Sequence, residues 1–201
     1  MLMEFETGRS PAVQISPRQR WSIAITYILI VLGFAIGVNQ RDSTLNLASD
    51  YNNLEAGISA KYPARWLLEE TGSFIFRVRD MAHRGFNTVI EVSAAPVGRD
   101  TTERNILDQL TLQRSQVLID YTVLSYDDYR LADGSPAISM SYSFVSRDTS
   151  PFLEGLSSIV YGLDILTIRR GQALIIAFRA DADIYQRELE TLRWFVQNLE
   201  F

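Results

Sequence analysis

Residues 122–147 read TVLSYDDYRLADGSPAISMSYSFVSR, two long runs of strand-forming side chains joined by turn residues at 133–136. Two such runs on either side of a turn are typical of an antiparallel hairpin. Residues 162–180 show the same pattern, with a turn at Arg170 and Gly171 between GLDILTIRR and QALIIAFRA. The chain is therefore predicted to contain an antiparallel sheet that includes these two hairpins.

Shorter alternating runs precede the hairpins. Residues 57–62 and 74–78 alternate apolar and polar side chains, which is the pattern of half-buried strands. Residues 88–96, TVIEVSAAP, form a third run of this kind. Three further strands, each with one side facing solvent, are expected ahead of the hairpins.

Two amphipathic helices complete the predicted α+β fold. The first covers residues 102–118, because Asp100 and Glu103 have the spacing of a capping box in front of an apolar stripe. The second ends the chain and is introduced by Asp181 or Asp183, since aspartate favours helix starts. Its core-facing stripe consists of Tyr185, Leu189, Leu192, Val196 and Leu199.

A longer apolar segment lies near the N-terminus. Residues 21–38 read WSIAITYILIVLGFAIGV and contain no charged side chain. As a helix this segment is about 27 Å long, close to the thickness of the hydrocarbon layer of a bilayer. It is therefore predicted to be a single transmembrane helix. A cleaved signal peptide is the alternative, because Arg18 and Arg20 precede it, but the run is longer than such signals usually have.

Basic side chains flank this segment unequally. Arg9, Arg18 and Arg20 precede it, whereas Arg41 is the single basic residue within about 20 positions after it. By the positive-inside rule, the N-terminus is expected in the cytoplasm. The large C-terminal domain is then extracytoplasmic, in a periplasm, a lumen or the cell exterior.

These features divide the chain into four predicted parts. Residues 1–20 are expected to form a mostly disordered cytoplasmic tail, and residues 21–38 the transmembrane helix. Residues 39–56 are polar and rich in asparagine, and are expected to be a linker. Residues 57–201 are expected to form the extracytoplasmic domain.

Composition excludes several classes of function. The chain has no cysteine, which excludes disulfides, thiolate nucleophiles and cysteine-ligated metals. Its 24 acidic and 19 basic side chains give a net charge of -5, so a nucleic-acid backbone would be repelled. No nucleic-acid partner is expected.

Catalytic and metal-binding groups are sparse. His83 is the single histidine and is expected to be a solvated loop residue, since a metal ion needs three or four ligands. Asp127 and Asp128 are neighbours on a strand, so their side chains point to opposite faces. Asp181 and Asp183 are explained by the helix start. No catalytic residue, metal or cofactor is predicted, and the domain is not expected to be an enzyme.

Small side chains in the apolar segment are a candidate contact for another helix. Gly33 and Gly37 form a small-xxx-small pair with Ala35 between them, which allows two helices to approach closely. Such pairs also arise from composition alone, and this alternative stays open. The expected partners are the lipid bilayer and other transmembrane subunits of a complex.

Two groups of side chains are candidates for a partner surface on the domain. The loop between the hairpins carries Phe152, Leu153 and Leu156, which either fold back on the sheet or contact a partner. Arg77 and Arg79 project from one face of a strand and could form a positive patch for a protein or a lipid headgroup. An ordinary solvated sheet face is the alternative for these arginines.

The order of elements and two short motifs resemble the PsbP family and its bacterial relatives. The start of the domain, GISAKYPARW, matches the family's pattern at Gly57, Ile58, Ser59, Tyr62, Pro63 and Trp66. The end of the chain matches it at Phe195, Leu199 and Phe201. The resemblance covers about residues 55–201. It implies an α/β/α sandwich in which helices pack on the faces of an antiparallel sheet.

The resemblance also implies a structural role. The best-known members of the family are extrinsic subunits on the lumenal side of photosystem II and are not enzymes. This chain differs from them in its predicted anchor. We expect a non-catalytic, single-pass accessory subunit of a bacterial membrane complex, in respiratory or photosynthetic electron transport, that stabilises or shields the complex on its extracytoplasmic side. The alternative is a stand-alone membrane-anchored binding or sensing domain of the cell envelope.

Overall fold

The protein was studied as a computed structural model, which describes residues 17–45, 47–83, 85–147 and 157–201. The chain divides into two compact units, with the boundary between Asn46 and Leu47. The second unit has its own hydrophobic core, and it begins before the predicted start at Gly57.

The first helix, α1 (Pro17–Leu45), contains the predicted transmembrane segment. It continues through residues 39–45, the first part of the predicted linker. Side chains are described for residues 21–37, and the large apolar ones are exposed, Trp21 by 72% and Phe34 by 74%. Among the residues whose side chains the structure describes, there is no helix that is long and apolar enough to cross a membrane.

The described residues of the domain form nine strands and two helices. The strands are β1 (Ala48–Asn53), β2 (Ile58–Pro63), β3 (Leu67–Glu69), β4 (Phe76–Arg79), β5 (Val89–Pro96), β6 (Ile119–Arg130), β7 (Pro136–Arg147), β8 (Ser157–Arg169) and β9 (Gln172–Asp181). The helices are α2 (Glu103–Ser115) and α3 (Tyr185–Gln197). The predicted α+β class is confirmed.

Seven of the strands form one antiparallel sheet in the order β3-β4-β5-β9-β8-β7-β6. Both predicted hairpins, β6–β7 and β8–β9, are present, and β7 pairs with β8 to join them. The turn between β8 and β9 holds Arg170 and Gly171 at φ values of 51° and 76°. Positive φ at both central residues is the geometry that two-residue hairpins prefer, and glycine adopts it without strain.

The strands β1 and β2 form a separate antiparallel ribbon. Residues 48–53 were predicted to belong to the linker, and this is wrong. The burial of Tyr51 explains the strand, because its ring centroid lies 4.1 Å from that of Phe76 in the sheet. Tyr51 of β1 and the buried Ile58, Ala60 and Tyr62 of β2 join the ribbon to the domain core.

One face of the seven-stranded sheet, here called the α3 face, packs against α3 and the ribbon. Its core is apolar, and Phe76, Phe178 and Phe195 are fully buried in it. The ring centroids of Phe76 and Phe195 lie 6.1 Å apart. The predicted stripe of the C-terminal helix is confirmed, since Leu192 and Val196 are buried in the same cluster.

The opposite face, here called the α2 face, packs against α2 and combines apolar and charged side chains. Arg114 of α2 forms an ion pair with Asp164 of β8, and the hydroxyl of Tyr142 donates to the same carboxylate at 3.3 Å. Asp164 has no exposed surface. Burial raises the pKa of Asp164, and this outweighs the lowering by Arg114 and by the bond from Tyr142.

The starts of both domain helices differ from the prediction. Thr102, not Asp100, caps α2, and its hydroxyl accepts a backbone N–H of the first turn at 3.3 Å. α3 begins after Ile184 and has no side-chain cap. Asp181 is instead buried, and its carboxylate accepts the backbone N–H of Asp183 at 3.2 Å. It therefore holds the connection between β9 and α3 in place.

Candidate functional site

A polar cleft of about 360 Å³ lies between the β4–β5 loop and the first half of α3. It is lined by Arg65, Asp80, Ala82, His83, Arg187 and Glu188. Arg65 comes from the turn before β3, the next three residues from the β4–β5 loop and the last two from α3. The volume falls in the lower part of the range that small-molecule sites usually have, about 300–1,000 Å³.

Asp80 is the first of two buried carboxylates in the cleft. Its backbone N–H donates to the carbonyl of Thr88 at 2.9 Å, which extends the pairing of β4 with β5. One carboxylate oxygen accepts the backbone N–H of Ala82 at 3.0 Å, and the other accepts a bond from Arg65 at 3.4 Å. Because an ionised carboxylate has about four lone-pair sites, Asp80 can accept further donors.

Glu188 is the second buried carboxylate, although it lies in the first turn of a helix. One oxygen accepts a bond from Nε of the neighbouring Arg187 at 3.2 Å. The other accepts the hydroxyl of Thr191 at 3.3 Å. An acid in the first turn interacts favourably with the helix dipole, which helps to keep this charge inside the domain.

The two arginines form the solvent-facing part of the cleft. The side chain of Arg65 is 47% exposed and that of Arg187 is 71% exposed. Each pairs with one buried carboxylate, but a guanidinium has five N–H donors, so both have donors to spare. In each pair the arginine is the exposed member and the carboxylate is the buried one.

His83 lies on the β4–β5 loop and is half-buried, so its prediction as a solvated loop residue is only partly right. Its Nδ1 accepts the backbone N–H of Gly85 at 3.1 Å. A Cβ at Gly85 would lie 2.6 Å from a carboxylate oxygen of Asp181. Glycine at this position therefore allows the loop to approach the end of β9.

A buried hydroxyl next to the cleft lacks a hydrogen-bond partner. Thr88 lies opposite Asp80 in the continued register of β4 and β5, so the two side chains share one face. Thr88 is fully buried, and its hydroxyl has no partner among the described residues. Buried hydroxyls are usually hydrogen-bonded, so Thr88 adds an unused polar group beside Asp80.

The cleft does not have the geometry of a metal centre. In residues 17–45, 47–83, 85–147 and 157–201, no three His, Asp or Glu side chains converge closely enough to hold a metal ion. Asp80, His83 and Glu188 therefore line the cleft without sharing one coordination point. The arrangement is suited to binding a ligand that carries charges of both signs.

The predicted positive patch is instead a row of ion pairs, here called the ion-pair ladder. Arg77 bonds to Glu91 at 2.9 and 2.6 Å and to Glu69 at 3.4 Å. Arg79 also pairs with Glu69, and Arg179 donates to Glu91 at 3.0 Å. Arg77 and Arg79 are therefore paired with glutamates of the neighbouring strands, and a partner contact on this face stays a prediction.

The residues of the predicted helix–helix contact are exposed on α1. A Cβ placed on Gly33 or Gly37 would meet no atom of the described residues within 4 Å. Ala35 lies between them on the same helix and is also exposed. The contact itself stays a prediction.

The predicted loop surface of Phe152, Leu153 and Leu156 lies outside the described residues. The cleft was not predicted. Its lining residues are far apart in the sequence, and no motif connects them. The one sequence feature that pointed to the cleft was His83, the single histidine, which lies in a loop between two predicted strands.

The architecture defines a class of protein, an α+β domain in which one antiparallel sheet carries a helix on each face. It is similar to the solution structure of cyanobacterial PsbP (CyanoP) from Synechocystis sp. PCC 6803, with a TM-score of 0.56 and 13% identity, over 76% of this chain and 91% of that one. It is also similar to LpqN of Mycobacterium tuberculosis, a protein involved in cell envelope biogenesis, with a TM-score of 0.51 and 13% identity, over 76% and 89% of the two chains.

The chain therefore has the PsbP-like fold, as the resemblance implied. Neither a scan of protein-family models nor a sequence search of curated proteins gives a match. At 13% identity, the two similar structures establish the fold alone.

Proposed function

We propose that this protein is a single-pass membrane protein whose PsbP-like domain is a non-catalytic accessory subunit of a bacterial membrane complex. The complex belongs to respiratory or photosynthetic electron transport, and the domain stabilises or shields it on the extracytoplasmic side. The observation that carries the proposal is α1, a helix whose apolar side chains are exposed along residues 21–37.

An apolar surface of this kind is unfavourable in water and is expected to contact lipid or another protein. Soluble monomers rarely expose contiguous apolar patches larger than a few hundred Å². The uncharged segment at 21–38 has a length suited to the hydrocarbon layer, so lipid and neighbouring helices are the covers that fit it. Gly33 and Gly37 would allow a neighbouring helix to approach closely.

The orientation and the fold support the same role. The excess of arginine before the apolar segment favours a cytoplasmic N-terminus, which places the domain on the extracytoplasmic side. The fold is shared with CyanoP and with LpqN, the second of which is involved in cell envelope biogenesis. An accessory domain in the envelope is consistent with both similarities.

Extraction in a mild detergent tests the proposal. The tagged full chain is expected to co-purify with larger membrane proteins, which mass spectrometry would identify. The double variant Gly33→Leu, Gly37→Leu should weaken this association because leucine prevents close helix contact, whereas Ile28→Leu in the same helix should not. A wild-type protein that elutes as a discrete monomer after mild extraction would contradict the accessory role.

A second candidate is an anchored binding or sensing domain that acts alone. The cleft beside α3 favours it, since two buried carboxylates and two exposed arginines line one cavity. A thermal-shift screen of the full chain in detergent separates the two candidates, because a receptor is stabilised by its ligand.

A further inference from the structure

We propose that the cleft between the β4–β5 loop and α3 binds a small zwitterion of the class of free α-amino acids. The carboxylates of Asp80 and Glu188 would bind the ligand's ammonium group. The guanidinium groups of Arg65 and Arg187 would bind its carboxylate. The inference deepens the second candidate function and does not depend on the accessory role.

The buried carboxylates favour a cation. Burying a charge is costly unless it is paired and hydrogen-bonded, and both acids are buried. Asp80 has its charged partner at 3.4 Å, a weak bond, and Glu188 has its partner at 3.2 Å on an exposed side chain. An ammonium group has three N–H donors, which suit the lone pairs that each acid leaves unused.

The arginines favour an anion in the same ligand. Arg65 and Arg187 are the more exposed members of the two ion pairs and keep free donors toward solvent. Arginine binds carboxylates through parallel N–H donors, so a ligand carboxylate is a suitable partner. The cleft therefore carries negative charge in its buried part and positive charge at its surface.

The balance of charge distinguishes a zwitterion from a simple ion. Two acids and two arginines sum to zero, so a ligand with one charge is attracted by one pair and repelled by the other. A ligand with both charges meets an opposite partner at each end.

Calorimetric titration tests the binding. The full chain in detergent is titrated with each of the twenty L-amino acids, and at least one is expected to bind. For that amino acid, the N-acetyl derivative lacks the ammonium and the amide lacks the carboxylate. Each derivative is expected to bind at least about tenfold more weakly, which is the effect of losing one charge-assisted contact.

Two variants assign the contacts. Glu188→Gln should weaken binding of the amino acid by about tenfold or more. Arg187→Ala should weaken binding of the amino acid but not of its amide, because the amide has no carboxylate for Arg187 to bind. Glu190→Gln is the matched control, since Glu190 lies on the same helix and is 80% exposed, and it should bind like the wild type.

Three results would overturn the proposal. The first is that no amino acid binds the wild type. The second is that the N-acetyl derivative and the amide bind as well as the parent amino acid. The third is that Arg187→Ala weakens the amide and the amino acid equally. Arg187 is 71% exposed, so Arg187→Ala is expected to fold. It therefore tests the binding proposal even if Glu188→Gln does not fold.

Discussion

The two faces of the seven-stranded sheet are held to their helices by different interactions. On the α3 face, Phe76 and Phe195 meet in an apolar cluster, and the buried acids of this face, Asp80 and Glu188, line the cleft. On the α2 face, the ion pair of Arg114 with Asp164 crosses the interface between helix and sheet. Apolar burial depends little on pH or salt, whereas ionic contacts depend on both. The two faces should therefore respond differently to the same change of solvent.

The largest expected effect is the removal of an aromatic ring from the α3 face. Phe195→Ala should lower the free energy of unfolding by about 3–5 kcal/mol, because Phe195 is fully buried and leaves a cavity. Urea denaturation followed by tryptophan fluorescence measures this change. The loss should be the same at pH 7 and at about pH 5, since no titratable group is involved.

Gln197→Ala is the control for this prediction, because Gln197 is exposed on the same helix. It should change stability by less than about 0.5 kcal/mol. A loss in Phe195→Ala that depends strongly on pH would contradict the purely apolar role assigned to Phe195.

The next effect is the removal of the cation from the α2 face. Arg114→Ala should destabilise the domain by about 3 kcal/mol at pH 7, because Asp164 stays buried without its partner. The pKa of Asp164 is already raised by burial and rises further when Arg114 is gone. A carboxyl whose pKa is raised in the folded state stabilises the fold at low pH. This stabilisation is lost as the pH increases through the folded pKa.

The variant should therefore regain stability relative to the wild type as the pH falls from 7 toward about 4, the ordinary carboxyl range. Urea denaturation across this range measures the recovery. Arg104→Ala is the matched control, since Arg104 lies on the same helix in a pair exposed at both partners. It should lose less than about 1 kcal/mol at each pH. A loss in Arg114→Ala that is equal at every pH would contradict the role assigned to Asp164.

The sequence predicted the elements that local signals determine, and it missed those that depend on tertiary contacts. The β6–β7 and β8–β9 hairpins were predicted correctly, because alternation and turn residues are local signals. β1 was missed, since its sequence ASDYNN becomes a strand only through pairing with β2 and burial of Tyr51. The cap of α2 was misplaced because Asp100 and Thr102 both favour a helix start, and only the folded chain selects between them.

Charged side chains were harder to predict than apolar ones. Arg77 and Arg79 were correctly placed on one face of a strand, but their partners depend on which strands are neighbours. Glu69 and Glu91 become partners because β4 lies between β3 and β5. The cleft depends in the same way on tertiary contacts between distant segments, so no local pattern could reveal it.

The smallest expected effect comes from the ion-pair ladder on the open part of the α2 face. Glu91 bonds to Arg77 and Arg179, but all three side chains keep contact with solvent, between 18% and 29% exposed. Glu91→Gln should therefore cost less than about 1 kcal/mol at low salt, and still less at high salt, where counterions screen exposed charges. Urea denaturation at two salt concentrations measures both values, with Glu190→Gln as the control at a fully surface pair. A loss as large as that of Arg114→Ala, unchanged by salt, would show that the ladder is as strongly desolvated as the buried pair.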